Sequence, residues 1–403
     1  MSPERVAFVV EEYGTIRVLW ETFRHARIQE QTAIMAKAAE RVAPVGNSSQ
    51  TRPPETKVVK AELLLANLGK GRRRIGNELS SKIYDLFIKD DQMASMLPTL
   101  PNVARLSERV LRVLGQNPGP YTLQGTNTYL VGKNPGPFVL IDTGEGRPEY
   151  IPCLKDALLS IPDARPPFIS DILITHKHRD HHGGLASVLK TLKELSNQTD
   201  QESVAYCGPR LHKFPLPPDQ IHDHYIQGLA ETLDPTLYTV PSSPTTSSPN
   251  EAPFHPLKDG QVLECVGATL VIKHTPGHTM DSVCIHLSEE KALFTADSVL
   301  GHGTAVFEDL SAYISSLQRL LAHANQSGGL QCIYPGHGPV LKDNLAEATI
   351  QHYIDHRLER ETQLVALMRS RVGPEEAWTV EDIVAAVYPE NKVEYQKRKR
   401  IKR

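Results

Sequence analysis

From its N-terminus the chain first shows apolar positions at helical spacing. Residues 15–43, "TIRVLWETFRHARIQEQTAIMAKAAERVA", combine that period with strong helix formers and predict a long amphipathic helix. The following "PVGNSSQTRPPET" (44–56) is polar and rich in Pro and Ser, which reads as a linker. Near residue 103 the period shortens. "RVLRVLGQNPG", "TNTYLVG" and "PFVLIDTG" are β-rich runs separated by Gly, Pro and Asn, the texture of successive strands and hairpins. A helix, "EYIPCLKDALLS", comes next, and the strand "FISDILIT" then delivers the chain to His176. Strand, helix, strand and a polar loop predict α/β layering.

The second half repeats this habit. After "VPSSPTTSSPN" (240–250), a low-complexity surface loop, strand texture returns in "ATLVIKHTPG", "SVCIHL" and "KALFTAD". A helix, "LSAYISSLQRLLAHA", precedes "CIYPGHG", another short strand ending in a histidine. The C-terminal part predicts a strong helix over 347–371, a shorter one over 379–388 and a basic tail, "KVEYQKRKRIKR".

Composition narrows the class. The 403 residues allow a large core, and a net charge of −3 exerts no global attraction on nucleic acid or anionic membrane. Basic character is local, in "GKGRRR" (69–74) and in the tail, and solvated segments account for both runs. The five cysteines are scattered and never spaced as CxxC, so neither a disulfide framework nor a cysteine zinc knuckle is expected. An intracellular, reducing location, the cytoplasm, follows as the expectation. The first residues lack the h-region and cleavage site of a secretory signal, and no run of about 20 apolar residues predicts a membrane span.

The chemistry concentrates in "THKHRDHHGG" (175–184), which holds four histidines and an aspartate in a row of ten. Imidazole and carboxylate donors suit zinc. His176 and His178, two apart at a strand end, can turn toward one centre while the loop sends Asp180 and His181 toward a neighbouring one. Gly183 and Gly184 permit a tight turn into the helix "LASVLKTLKEL". Further candidates stand at later strand ends: His278 in "TPGHT", Asp297 in "FTAD" and His337 in "YPGHG". Core packing explains none of these three. His212, His222, His224, His255, His274, His286, His352 and His356 match no such pattern and read as surface or core residues.

This constellation resembles the metallo-β-lactamase superfamily, whose HxHxDH motif followed by His, Asp and His is matched at every position across roughly residues 105–345. The resemblance implies an αββα sandwich with its site at one edge, between two sheets. It also implies two zinc ions, the first held by His176, His178 and His278, the second by Asp180, His181 and His337, with Asp297 bridging. Two such ions activate water at neutral pH, and Asp180 is the candidate for moving its proton. Asp142 in "LIDTG" matches an acidic residue common in the superfamily and is read as orienting a ligand histidine.

Fold does not name a substrate. "NPGPYTLQGTNTYLVG", "IDTGEG", "GHGTAVFEDL" and "YIDHRLERE" resemble the lactamase-β-like branch. That branch holds an animal mitochondrial endoribonuclease and fungal thioesterases that release aromatic polyketides from the acyl carrier protein of a non-reducing synthase. His302 is similar to the thioesterase pattern, where the ribonuclease type has an acidic residue. The expected activity is therefore a polyketide thioesterase with an acyl carrier protein as partner. A single-strand-specific endoribonuclease is the alternative, and a glyoxalase II-like thioesterase on a small thiol ester a further one. The expected domains are a helical and linker extension at 1–100, a catalytic domain at 101–345, and an incomplete winged-helix-like region at 346–403.

Overall fold

The computed structural model describes residues 97–197, 206–217, 228–241, 253–343 and 345–369. The predicted helices at 15–43 and 379–388, the linker at 44–56, both basic runs and most of the 240–250 loop lie outside the described residues. Residues 97–362 form one compact unit, and residues 1–96 with 363–403 a second, of which only the end of one helix is described.

Two sheets build the first unit. Seven strands run in chain order: β1 (Val103–Arg105), β2 (Val110–Leu114), β3 (Asn127–Val131), β4 (Phe138–Ile141), β5 (Ile169–Ile174), β6 (Arg210–Lys213) and β7 (His255–Pro256). The first four pair antiparallel, and β4 through β7 pair parallel. A parallel neighbour needs a crossover. Helix α1 (Tyr150–Leu159) provides it between β4 and β5; after β5 the chain passes through one turn, α2 (Arg179–His182), and helix α3 (Leu185–Asn197) before reaching β6. The second sheet joins β8 (Val262–Cys265), β9 (Ala268–His274), β10 (Val283–Leu287), β11 (Ala292–Ala296), β12 (Cys332–Pro335) and β13 (Leu341–Lys342) in the order β13-β12-β11-β10-β9-β8. Its one parallel pair, β11 with β12, is bridged by α4 (Leu310–Gln326), and α5 (Leu345–Arg369) follows β13.

Alternation along the strands decides what each face covers. In β3 and β4, Leu130, Phe138 and Leu140 face one way, packing with Tyr150, Leu154 and Leu158 of α1 and Leu185, Val188 and Leu189 of α3. Their neighbours Tyr129, Val131, Val139 and Ile141 face the other way, toward Leu270, Ile272, Val283, Ile285 and Phe294 of the second sheet. On that sheet's outer face Cys284, Leu293 and Ile333 meet Tyr313, Leu317 and Leu320 of α4 and Ile350, Tyr353 and Ile354 of α5. The order is helices, sheet, sheet, helices. Each fully buried Leu, Ile or Phe contributes about 1.5–3 kcal/mol by leaving water, so a sheet buried on both sides needs the continuous apolar runs seen in the sequence.

Both sheets meet at one edge. The amide of Val283 donates to the carbonyl of Thr175 at 3.0 Å, and that of Asn127 to the carbonyl of Gly336 at 2.7 Å. Through these bonds the ends of β5, β10, β3 and β12 are tied together. Every residue predicted for metal chemistry lies at this junction.

Candidate metal centre

Strand β5 ends at Ile174, and the next residues carry the motif. His178 has extended backbone and opens α2, which places Asp180 and His181 on a short helical turn, with the ring of His181 4.1 Å from that of His176 between centres. Gly183 closes the turn with right-handed dihedrals, so its role is not a reversal of handedness. The glycine pair is needed for room. A Cβ on Gly184 would stand 2.1 Å from the carbonyl oxygen of Thr143, and one on Gly183 2.6 Å from that of Glu145. From the second sheet, β9 leads to His278, β11 directly to Asp297 and β12 to His337. Because β11 and β12 are parallel, with Ala296 opposite Pro335, their C-terminal ends deliver Asp297 and His337 side by side.

All seven predicted ligands are buried, and they fall into two sets. In the first, Nε2 of His176, Nδ1 of His178 and Nε2 of His278 lie 3.0–3.3 Å from one another. Oδ2 of Asp297 stands 3.8 Å from Nε2 of His176 and 3.5 Å from Nε2 of His278. In the second set, Oδ2 of Asp180 is 3.4 Å from Nε2 of His181 and 3.2 Å from Nε2 of His337. Oδ1 of Asp297 is 3.3 Å and 3.2 Å from the same two nitrogens. A tetrahedral centre with bonds of about 2.0 Å separates its donors by about 3.3 Å, which is the spacing of both sets.

The outer ring nitrogens decide which atoms face inward. The carbonyl of Val306 can only accept, so Nδ1 of His278 donates to it at 2.7 Å. Nδ1 of His181 donates to Oδ2 of Asp142 at 2.7 Å, and Nδ1 of His337 points at the carbonyl of Gly125 at 3.4 Å. Thr175 gives its hydroxyl proton to Asp142, so the same oxygen accepts from Nδ1 of His176 at 3.0 Å. With each proton held outside, the Nε2 lone pairs of four rings converge. Nε2 of His181 and Oδ1 of Asp297 are buried and make no hydrogen bond. Such crowding of acceptors is costly unless a cation sits among them. The residues fit a pair of divalent ions.

Electrostatics agree. Burial works to lower the affinity of His337 for a proton, yet Asp297 and Asp180 raise its pKa to about 9. His181 is likewise driven well above the usual histidine range, with Asp297, Asp180 and Asp142 overcoming burial. Burial and the neighbouring rings of His181 and His178 push His176 well below that range. Asp297 is held well below the carboxylate range by His337 and His181, against the effect of burial. His181 and His337 draw positive charge, whereas His176 resists a proton.

Several supporting residues were not singled out in the sequence. Oγ1 of Thr126 donates to Oδ2 of Asp180 at 3.2 Å, while its own amide donates to Oδ1 of Asn117 at 2.8 Å. Nδ2 of Asn127 donates to the carbonyls of Pro335 and Gly338, both at 2.9 Å, and so braces the His337 loop. A signal was present: "TNT" places three polar residues at the start of a strand whose every position is buried. Asp142 lies in left-handed backbone, φ +60°, and accepts from the amide of Thr175 at 2.8 Å as well as from His181, matching the orienting role read for it.

The other histidines lie elsewhere. His212 pairs with Asp171 at 2.7 Å, His255 with the carbonyl of Thr239, and His274 with that of Met280 while stacking on Phe214. His286 packs against His323, and His352 against His356. His222 and His224 lie outside the described residues. His302 is exposed in the segment after β11.

An αββα sandwich whose sheets bring two His/Asp donor sets together at their junction offers a site that could hold metal ions. The chain belongs to the metallo-beta-lactamase superfamily, which it matches over residues 121–339. It is 33% identical over 324 residues to an atrochrysone carboxyl ACP thioesterase of Aspergillus novofumigatus, covering 79% of this chain and 82% of that protein. To the beta-lactamase-like protein 2 homolog of Drosophila melanogaster it is 37% identical over 292 residues, covering 72% and 84%. Among solved structures, a metallo-beta-lactamase family protein from Thermus thermophilus aligns with a TM-score of 0.45 at 23% identity, covering 72% of this chain and 88% of that one. Among the described residues no helix is long and apolar enough to cross a membrane, and all five cysteines are unpaired.

Proposed function

We propose that the protein is a metal-dependent hydrolase that cleaves the thioester joining a polyketide acyl chain to an acyl carrier protein. The observation that carries the metal part is the division of Asp297, with Oδ2 directed to the set of His176, His178 and His278 and Oδ1 to that of Asp180, His181 and His337. A carboxylate so placed would offer one oxygen to an ion in each set. Nitrogen and carboxylate donors at tetrahedral spacing favour zinc. When bound, paired divalent ions lower the pKa of water and polarise the carbonyl under attack.

The chain's own residues do the rest. Val306, Asp142, Thr175 and Gly125 fix the ligand rings through their outer nitrogens. Asp180, steadied by Thr126, is the buried carboxylate placed to take the proton of the attacking water. A thiolate leaves without strong protonation, so no separate general acid is required for a thioester. Relatives named as acyl carrier protein thioesterases, about 33% identical over most of their length, support this substrate class.

A direct competition tests the reading. The protein is offered a carrier-bound aromatic polyketide and a single-stranded RNA under identical metal and salt conditions, with Asp180→Ala as the blank. Release of the acyl chain well above the blank is expected. RNA cleavage that depends on Asp180, with no acyl release above the blank, would replace the thioesterase by the ribonuclease alternative. Elemental analysis should find two transition-metal ions per chain, and activity that survives a chelator would overturn the metal assignment.

A further inference from the structure

The segment between β11 and α4, residues 297–309, touches both donor sets. It begins with Asp297. Its Gly301 amide donates to the carbonyl of His337 at 2.9 Å, and its Val306 carbonyl accepts from the ring of His278 at 2.7 Å. Glu308 is bound from two sides: its amide donates to the carbonyl of Gly277 at 2.7 Å, and its carboxylate pairs with the buried Lys177 at 2.9 Å. One face of this segment therefore defines where His278 points. Yet residues 302–304 and 306 are exposed, and Val306 retains 60% of its surface in water. A short, exposed stretch with two Gly residues does not hold one conformation by itself.

What holds it is α5. The hydroxyl of Tyr353 accepts from the amide of Leu300 at 3.1 Å and donates to the carbonyl of Gly303 at 2.8 Å. One turn later Arg357 donates to the carbonyl of Ala305, the residue beside Val306, and its guanidinium lies 4.8 Å from the ring centre of Phe307. Tyr353 and Arg357, four apart, lie on one side of the helix. Between them they fix the backbone at Leu300, Gly303 and Ala305, the residues leading up to Val306. Phe307 then stacks on Tyr313 of α4, whose hydroxyl donates to the carbonyl of Ser298 at 2.6 Å.

Resting on the metal reading above, we propose that Arg357 and Tyr353 are positioning residues for the metal centre: they hold the 300–307 segment so that the Val306 carbonyl orients His278. The consequence is selective. His278 belongs to the first donor set alone, whereas the rings of the second are oriented by Asp142 and Gly125. Loss of the α5 clamp weakens one metal equivalent and spares the other. Partners that orient a ligand histidine typically change metal affinity by about 10–100-fold.

Cobalt titration of the metal-free full-length chain, followed by visible absorption, reads the two equivalents separately. Arg357→Met and Tyr353→Phe are each compared with wild type, with Arg357→Lys as the conservative rescue and with Ile350→Ala. The last loosens α5 from the second sheet without touching the segment's carbonyls. The expected result is about a 10-fold or greater loss of affinity for one equivalent in Arg357→Met, a smaller selective loss in Tyr353→Phe, partial recovery in Arg357→Lys, and equal affinities in Ile350→Ala despite a lower melting temperature. If Arg357→Met binds both equivalents as wild type does, or weakens both alike, the positioning role is wrong while the metal reading stands. A wild-type chain that binds no cobalt overturns both.

Discussion

Gly336 stands where a Cβ would lie 2.5 Å from Oδ1 of Asp297, the oxygen that faces His181 and His337. Parallel pairing of β11 with β12 brings the two residues together, and the amide of Gly336 donates to the carbonyl of Ala296 at 2.8 Å. Gly336→Ala is therefore expected to displace the Asp297 carboxylate rather than to unfold the sheet. Metal content should fall below two ions per chain and hydrolysis by at least about 10-fold. Elemental analysis beside a melting curve checks this; full metal content with a lowered melting temperature would show the backbone yielding instead.

Asp142→Asn keeps the size of the side chain but removes the negative charge that faces the ring of His181. An amide can still accept from the Thr175 amide with its one oxygen, so the β5 terminus should remain in place. The ring of His181 loses the carboxylate oxygen to which its Nδ1 donates. We expect about 10–100-fold weaker binding of one metal ion, with little change in melting temperature of the metal-free protein. Calorimetric titration of metal into the variant measures it.

Lys213 at the end of β6 and Asp281 after β9 form an ion pair at 2.6 Å with both side chains out of water. Removing one partner of a buried pair strands the other charge, at about 3–5 kcal/mol. Lys213→Met alone should lose about that much stability, and Lys213→Met with Asp281→Asn should regain a good part of it. Denaturant melts of wild type, Lys213→Met, Asp281→Asn and the double variant decide. A double variant as unstable as the sum of the singles would mean that the pair has no mutual dependence.

His286 supplies a pH dependence. Burial, with His323 and Lys273 nearby and Glu289 opposing them, pushes its pKa down to about 4, whereas an unfolded histidine titrates near 6.5. The unfolded chain then takes up a proton that the folded chain refuses. Stability from the neutral ring is fully present above about pH 6.5 and is lost as pH falls toward 4. His286→Gln should flatten that part of the stability profile relative to wild type, as read by melts at several pH values. Parallel profiles would assign the acid sensitivity to other groups.

Much of this was legible in the chain itself. The motif residues at 176–181, and His278, Asp297 and His337 at later strand ends, could be chosen because donor chemistry and strand termini are local properties. The layering was legible for the same reason: short continuous apolar runs between turn residues mean strands covered on both faces, and the intervening helical runs mean crossovers. The glycine pair after the motif was noticed, but its reason was not, since the obstruction is the carbonyl of Thr143, some forty residues away in sequence.

Which donors share an ion was a matter of distant pairing. His176 and His278 are 102 residues apart, and their nitrogens come within 3.3 Å only because the second sheet is laid against the end of β5. Nothing local marks Val306 as the acceptor of the His278 ring, or Arg357 as the residue that steadies it, for a backbone carbonyl has no signature in a sequence. Asp297 shows the division most clearly. Its local sequence specifies an acid at a strand end and no more. That its two oxygens face two different sets follows from β11 and β12 lying parallel beneath both, because pairing between distant strands depends on shared burial and hydrogen bonding that neither strand carries alone.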